Sequence, residues 1–302
     1  MVKNLVLENI SVGFKLPQGV FYAVDDVSLS LPGGNFTAII GESGCGKSVL
    51  GQAILNILPS GVIKKGRVLY NGEQVEKILS AFGIIPQNPS ESLNPVRKIG
   101  KQMQDVLAVH NIVDSDNSYK KQCLRLFGLQ EEERVLAAYP HELSGGMLQR
   151  VLCAMAVSSK PEWILADEPT KGLDEQVGAV VRKNLLTIKQ DLHLSMLIIT
   201  HDIALAQEVC DDVLVMYAGQ VLEHNADIWH KPLHPYTKGF LQALPKNGLQ
   251  VIPGKAPVPG ESFNGCKFAT RCPYCKTRCK EEKPAMQQVG NAEVRCFLYA
   301  EG

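Results

Sequence analysis

The chain has 302 residues, 45% of them apolar and 21% charged, which suits one large domain or one with a small appendage. Thirty-one basic residues balance thirty-one acidic ones, so no general attraction to nucleic acid or anionic lipid is expected. The start, MVKNLVLENISVGF, lacks the cationic and apolar regions of a signal peptide, and runs such as Met196 to Ile199 fall far short of the ~20 residues that span a bilayer.

Residues 1–31 alternate apolar and polar positions (Leu5, Leu7; Val24, Val27, Leu29), the pattern of short antiparallel strands. Pro32-Gly33-Gly34 predicts a turn, and Phe36 to Ile40 a short buried strand. Helical spacing then runs from Val49 to Leu58, stopped by Pro59. Residues 88–160 are mostly helical in pattern, broken at Pro89, Pro95 and Pro140. Trp163 to Ala166 and Met196 to Thr200 read as buried strands separated by a helix at 175–191. Strand and helix alternating at this rhythm imply a mostly parallel α/β core. From about Asn247 the texture changes to prolines (Pro253, Pro257, Pro259) and then cysteines. The expected division is a main domain over 1–246 and, over 247–302, a linker with a small separate Cys-rich domain.

Between strand 36–40 and the helix after it lies Gly41-Glu42-Ser43-Gly44-Cys45-Gly46-Lys47-Ser48, a phosphate-loop pattern in its proper context. Its glycines let backbone amides turn onto phosphates, the helix adds a positive N-terminal end, Lys47 reaches the β and γ phosphates, and Ser48 offers a hydroxyl to Mg²⁺. The strand Trp163 to Ala166 ends in Asp167 and Glu168. Acids at the carboxyl edge of a buried strand suit a Mg²⁺ ligand, Asp167, and a general base for attacking water, Glu168. Leu143-Ser144-Gly145-Gly146-Met147-Leu148-Gln149-Arg150 forms a second anion trap: Ser144 caps a helix whose first amides are freed by Gly145 and Gly146, while Leu148, Val151, Leu152 and Met155 keep an apolar face.

This octapeptide resembles the signature of the ABC (ATP-binding cassette) ATPases, and the resemblance covers about residues 3–245. It implies a P-loop NTPase cassette with an antiparallel β subdomain, a helical subdomain at about 88–160, and a sandwich dimer in which Ser144, Gly145, Gly146 and Gln149 reach the ATP of the opposite subunit. By the same resemblance the nucleotide lies on Gly41, Ser43, Gly44, Cys45, Gly46, Lys47, Ser48 and Val49. Gln87, in Pro86-Gln87-Asn88-Pro89, is the loop residue that senses Mg²⁺ and the transport partner. Asp174 lies on the loop crossing the dimer interface, and His201 contacts the γ-phosphate and orients the water. Phe14 is the aromatic expected to stack on adenine, with Phe21 and Tyr22 as rivals. Two departures are Cys45, where many members have Ser, and Gly172, where a small polar residue is common.

Further on, His234-Pro235-Tyr236-Thr237, Leu241 to Pro245, Pro257-x-Pro259 and the terminal cysteines resemble the peptide/nickel importer ATPases. Gly265-Cys266-Lys-Phe268, Arg271-Cys272-Pro273, Cys279 and Cys296 follow that group's tail in turn, with spacing Cys266-x5-Cys272-x6-Cys279-x16-Cys296 and Cys275 left over. Four thiolates suit a cubane iron–sulfur cluster or a tetrahedral zinc site. The resemblance favours a structural [4Fe-4S] centre, the Cys272-x-x-Cys275 pair keeps Zn²⁺ open, and unligated cysteines are a third reading.

The expected function is therefore the ATPase of an importer of peptides, nickel or metal chelates, at the cytoplasmic face of the membrane. Its expected partners are a second ATPase chain (a heterodimer before a homodimer), two transmembrane permease chains and, indirectly, an extracytoplasmic solute-binding protein. The short stretch from Gly72 to Phe82 and the Met147-Leu148-Gln149 form of the signature lean toward nickel. The alternative is an ABC ATPase acting on nucleic acid or ribosomes. It is disfavoured by the zero net charge, by the single cassette, and by the mere 96 residues between Lys47 and Ser144, which leave no room for a long coiled coil.

Overall fold

The computed structural model describes residues 3–17, 19–74, 78–173, 175–244, 248–258 and 261–300. In chain order the strands are β1 (Leu5–Leu16), β2 (Gly19–Leu31), β3 (Phe36–Ile40), β4 (Ile63–Tyr70), β5 (Glu73–Gln74), β6 (Phe82–Ile85), β7 (Trp163–Asp167), β8 (Ser195–Ile199), β9 (Asp212–Tyr217), β10 (Gln220–His224), β11 (Gln287–Val289) and β12 (Ala292–Val294). The helices are α1 (Lys47–Leu55), α2 (Pro89–Ser92), α3 (Ile99–Val109), α4 (Ser118–Leu126), α5 (Glu132–Ala137), α6 (Gly145–Ser158), α7 (Glu175–Asp191), α8 (Ile203–Val209), α9 (Pro235–Gln242) and α10 (Thr277–Glu281). None is long and apolar enough to cross a membrane among the described residues. The chain forms two compact units, one of Met1–Lys3, Pro32–Phe36 and Glu76–Val209, the other of Asn4–Leu31, Thr37–Val75 and Cys210–Gly302.

In the second unit, alternating burial along β1 and β2 matches their antiparallel pairing, Leu5 opposite Leu31 and Phe14 opposite Phe21. The sequence pattern predicts several short strands, whereas the structure has two long ones. The interruption is a set of register shifts near Asn9 and Asp26, both with positive φ, where Asn9 Nδ2 donates to Asp26 Oδ1 at 3.0 Å. Each bulge flips the inward-facing parity without ending the strand. On its other edge β1 pairs with β4, giving the order β2-β1-β4-β5. A second sheet runs β11-β12-β10-β9-β3, with β3 and β9 parallel. Every residue of β3 and β9 is buried, as strands covered on both faces require.

Helix α1 starts at Lys47, two residues before the pattern suggested, and stops at Leu55, well short of Pro59. Its end is set by Asn56, in the left-handed region at φ 57°, whose amide returns to Ala53 and Gln52 carbonyls.

The first unit carries the parallel strands β6, β7 and β8, registered Phe82–Trp163 and Trp163–Ser195. Helices α2 to α6 fill residues 89–158, and α6 is apolar along most of its length. Trp163 stacks on Phe82 at 6.0 Å, and its Nε1 donates to Lys3 O at 2.9 Å. Thr200, expected to end β8, instead turns its buried hydroxyl to accept from the Asp202 amide at 2.9 Å, so the strand ends at Ile199.

The tail differs most from expectation. Residues 247–302 read as a linker and a separate small domain, yet the described part belongs to the compact unit that holds the phosphate loop. Strand β12 pairs with β10, Val294 opposite Glu223 and Glu293 opposite His224. So short a segment has too little apolar surface for a core of its own, and Phe268, Ala292 and Val294 are buried within the larger unit. The expected boundary at 246/247 lies outside the described residues.

Candidate functional site

The phosphate loop closes strand β3 and opens helix α1. Two glycines are sterically required. A Cβ at Gly41 (φ 151°) would stand 2.2 Å from Met216 O, and one at Gly46 (φ 106°) would stand 2.1 Å from Ala23 O. Gly44, in contrast, is exposed with open space where a side chain would project, so its backbone can meet a ligand. Ser43 is exposed beside it, Cys45 is buried, and Ser48 and Val49 are half-buried on the first turn of the helix. Burial pushes the Cys45 thiol up, keeping it a neutral packing group. Lys47 is buried and its Nζ donates to Gly41 O at 2.9 Å and Glu42 O at 3.1 Å, which holds the ammonium inside the loop. Phe21 and Tyr22 line the cavity that begins at Gly44, whereas Phe14 is not among its lining residues and faces Phe21 across the hairpin.

Glu42 carries contacts that the sequence reading did not single out. Its carboxylate accepts from Arg271 Nη1 at 3.2 Å through both oxygens, and its amide donates to Tyr236 Oη at 3.1 Å. Arg271 also lies over the rings of Tyr217 and Phe268. The only sequence signal for Arg271 was its place directly before Cys272.

In the other unit, parallel pairing sends the carboxyl ends of β6, β7 and β8 to one edge. Gln87 follows β6 by two residues, Asp167 and Glu168 close β7, and His201 follows β8 by two. The registers Ile85–Ala166 and Asp167–Ile199 keep these ends level. Gln87 is exposed and Asp167 half-buried. Glu168 is buried, with Oε2 at 2.6 Å from His201 Nδ1 and 3.3 Å from the His201 amide. Its backbone sits at φ 48°, a region where a non-glycine residue stores strain, and its own amide donates to Ile199 O at 2.8 Å. A carboxylate aimed by an imidazole at the edge of a parallel sheet can accept a proton from water.

The signature helix is α6. Ser144 is its N-cap, accepting from the Met147 amide at 3.3 Å, and Ser144 and Gly145 are exposed with nothing above Gly145. Gly146 lies 3.7 Å from the Val177 side chain at its Cβ position. Gln149 departs from the expected outward role: it is buried and donates to Pro169 O at 3.3 Å. Five residues past Ser144, it donates within its own chain and ties the helix to the segment after Glu168. Asp174 lies outside the described residues.

Cys266, Cys272, Cys279 and Cys296 line a single cavity of about 20 Å³, also bounded by His234 and Phe268, and Cys275 is not among its walls. Burial pushes the Cys266 thiol up to about 11 and raises Cys272 and Cys296. Among the described residues no group of three or more His, Cys, Asp or Glu side chains is set to hold one metal ion. Buried His234, driven down to about 3 by desolvation, stays neutral and accepts from the Tyr236 amide at 2.9 Å.

The family model described as ABC transporter matches residues 24–171, and that of the oligopeptide/dipeptide transporter C-terminal region matches 222–279. The oligopeptide transport ATP-binding protein OppD of Haemophilus influenzae is 34% identical, covering 98% of both chains. The dipeptide transport ATP-binding protein DppD of Escherichia coli is 36% identical over 95% of this chain and 94% of its own. Among solved structures, cbiO1 from Clostridium perfringens, part of the cbiONQ ABC transporter complex, superposes with a TM-score of 0.62 at 27% identity, over 74% of this chain and 89% of that one.

Proposed function

Because the chain belongs to the ATP-binding subunits of oligopeptide and dipeptide ABC transporters, we propose that it powers the uptake of short peptides through partner permease chains. Hydrolysis of ATP coupled to transport is the activity of this family, and ATP with Mg²⁺ is its substrate. The observation that carries the reading at the level of chemistry is the 2.6 Å pairing of Glu168 with His201 at the edge shared by Gln87 and Asp167. On this reading Lys47 and the amides of Gly44 to Val49 take the phosphates, and Ser43 flanks them. Ser48, Asp167 and Gln87 attend Mg²⁺, Glu168 accepts a proton from the attacking water, and His201 holds that carboxylate in place. Exposed Ser144 and Gly145 and half-buried Gly146 are the groups offered to a second chain's nucleotide, and Asp174 is assigned to the same contact.

Partners follow from this division of labour. A second ATPase chain, different from this one before identical to it, completes each sandwich site. Two permease chains carry the motion across the membrane, whose cytoplasmic face would hold this subunit, and a solute-binding protein presents the cargo. Peptide is favoured over nickel or a chelate because full-length relatives at 34–36% identity are named for peptide transport. Those names also leave the nucleic-acid alternative unsupported.

A [4Fe-4S] centre on Cys266, Cys272, Cys279 and Cys296, with Zn²⁺ as the alternative, rests on the tail's spacing and on the shared cavity. Four thiols share that cavity and the fifth lies outside its walls, but among the described residues they are not grouped closely enough to hold one metal ion. A bound centre would supply a cross-link among tail segments and favour thiolates that burial alone disfavours.

Transport tests the proposal. Proteoliposomes holding this chain, its partner ATPase and the two permeases, given binding protein and labelled di- or tetrapeptide, should accumulate peptide only with ATP. Uptake of Ni²⁺ without peptide uptake would move the cargo to the metal reading. ATP turnover stimulated by nucleic acid in place of permeases would overturn the importer reading.

A further inference from the structure

Beside Gly44 of the phosphate loop lies a cavity of about 300 Å³ with two walls of different origin, both within one compact unit. One wall is the β1–β2 hairpin, through Phe21 and Tyr22. The other is the cysteine-rich tail, through Phe263, Lys267 and Lys283. A volume near the lower end for small-molecule pockets suits a nucleobase with part of its sugar.

The charges on this cavity cancel. Asp25 and Lys267 pair at 2.8 Å, and Lys267 Nζ donates as well to Ala218 O at 2.8 Å, fixing its position. Burial alone would raise the Asp25 carboxyl, but the lysine holds it low. Glu261 and Lys283 add one more charge of each sign. A phosphate chain would gain nothing from such a neutral wall, whereas a flat, uncharged group would gain from its three aromatic rings. The tail wall is also anchored to the loop itself, because Arg271 grips both carboxylate oxygens of Glu42, two residues before Gly44.

We infer that the cysteine-rich tail completes the nucleotide site, with Phe263 packing on the base of an ATP whose phosphates lie on the loop from Gly44 onward. This rests on the ATP-binding reading above and adds residues that the family motifs do not contain. It gives the tail a role beyond stapling: any event that loosens it lowers nucleotide affinity.

The test uses the full chain and fluorescence-detected binding of ATP and of inorganic tripolyphosphate. Phe263→Ala should weaken ATP roughly tenfold, the range for loss of one aromatic–base stack, and Phe263→Tyr should restore it. Tripolyphosphate affinity should stay within about twofold of wild type, since the phosphate loop is untouched. Lys47→Ala, as control, should weaken both ligands; a wild-type chain that binds neither ligand would count against the ATP-binding reading and not against the tail. In parallel, 8-azido-ATP irradiated on wild-type protein should label tail peptides between residues 261 and 283 as well as the hairpin. Unchanged ATP affinity in Phe263→Ala, or label confined to peptides outside the tail, would overturn the inference.

Discussion

Glu168 stands at φ 48° while its side chain is held by a histidine two residues past the neighbouring strand, so strain, burial and a short hydrogen bond meet at one position. The meeting of Glu168 and His201 was legible because each follows a short apolar strand, and the parallel register then brings them together. The loop around Lys47 and Ser48 and the helix cap at Ser144 were legible for a similar reason: each is written in a few consecutive residues. Gln149 was not. Its motif position suggested an outward contact, but its side chain is buried and donates to Pro169 O. Replacing it with Leu keeps the volume and removes the N–H, leaving a buried carbonyl unpaired at a cost of about 1–3 kcal/mol. Gln149→Leu should therefore melt a few degrees below wild type in a calorimetric scan. Unchanged melting with lost dimer-dependent hydrolysis would return Gln149 to the interface. The Arg271–Glu42 pair was equally hidden, since nothing local links residues so far apart in sequence.

Among the elements, the buried parallel strands β3, β7 and β8 stood out as short apolar runs within a residue or so of their observed ends. The β1–β2 hairpin and the terminal strands did not, because bulges shift parity in the first and β11 and β12 have only three residues each. Those terminal strands are secured by His224, whose imidazole meets Asp212 from β9 through Nε2 and Glu293 from β12 through Nδ1 at 3.2 Å. Burial would lower the His224 pKa, but the two carboxylates outweigh it and raise the pKa above the ordinary value. A raised pKa in the folded state means stability present in full below about pH 6.5, the unfolded value, and lost as pH climbs through the folded one. Denaturant unfolding should thus show stability falling as pH rises above about 6.5, and His224→Gln should flatten that slope. An unaltered slope in the variant would assign the effect to other groups.

For the molecule as a whole, the sequence separated a cassette from a cysteine-rich tail, but the tail's attachment through β12, Lys267 and Arg271 could not be read from composition. If Cys266, Cys272, Cys279 and Cys296 hold a [4Fe-4S] centre, anaerobically purified protein should be brown, with broad absorbance near ~400 nm. Serine at any of the four should bleach it and expose the tail to protease, while Cys275→Ser should keep the colour. Colourless anaerobic protein with one zinc per chain would replace the cluster with zinc, and metal loss in Cys275→Ser would change the ligand set. The central claim, that this chain is an ATP-driven motor with Glu168 as its base, is tested most directly by Glu168→Gln in the assembled transporter. Glu168→Gln should bind MgATP close to wild type with hydrolysis reduced about a hundredfold or more, because positioning survives and proton acceptance does not. Hydrolysis by Glu168→Gln at the wild-type rate would contradict it.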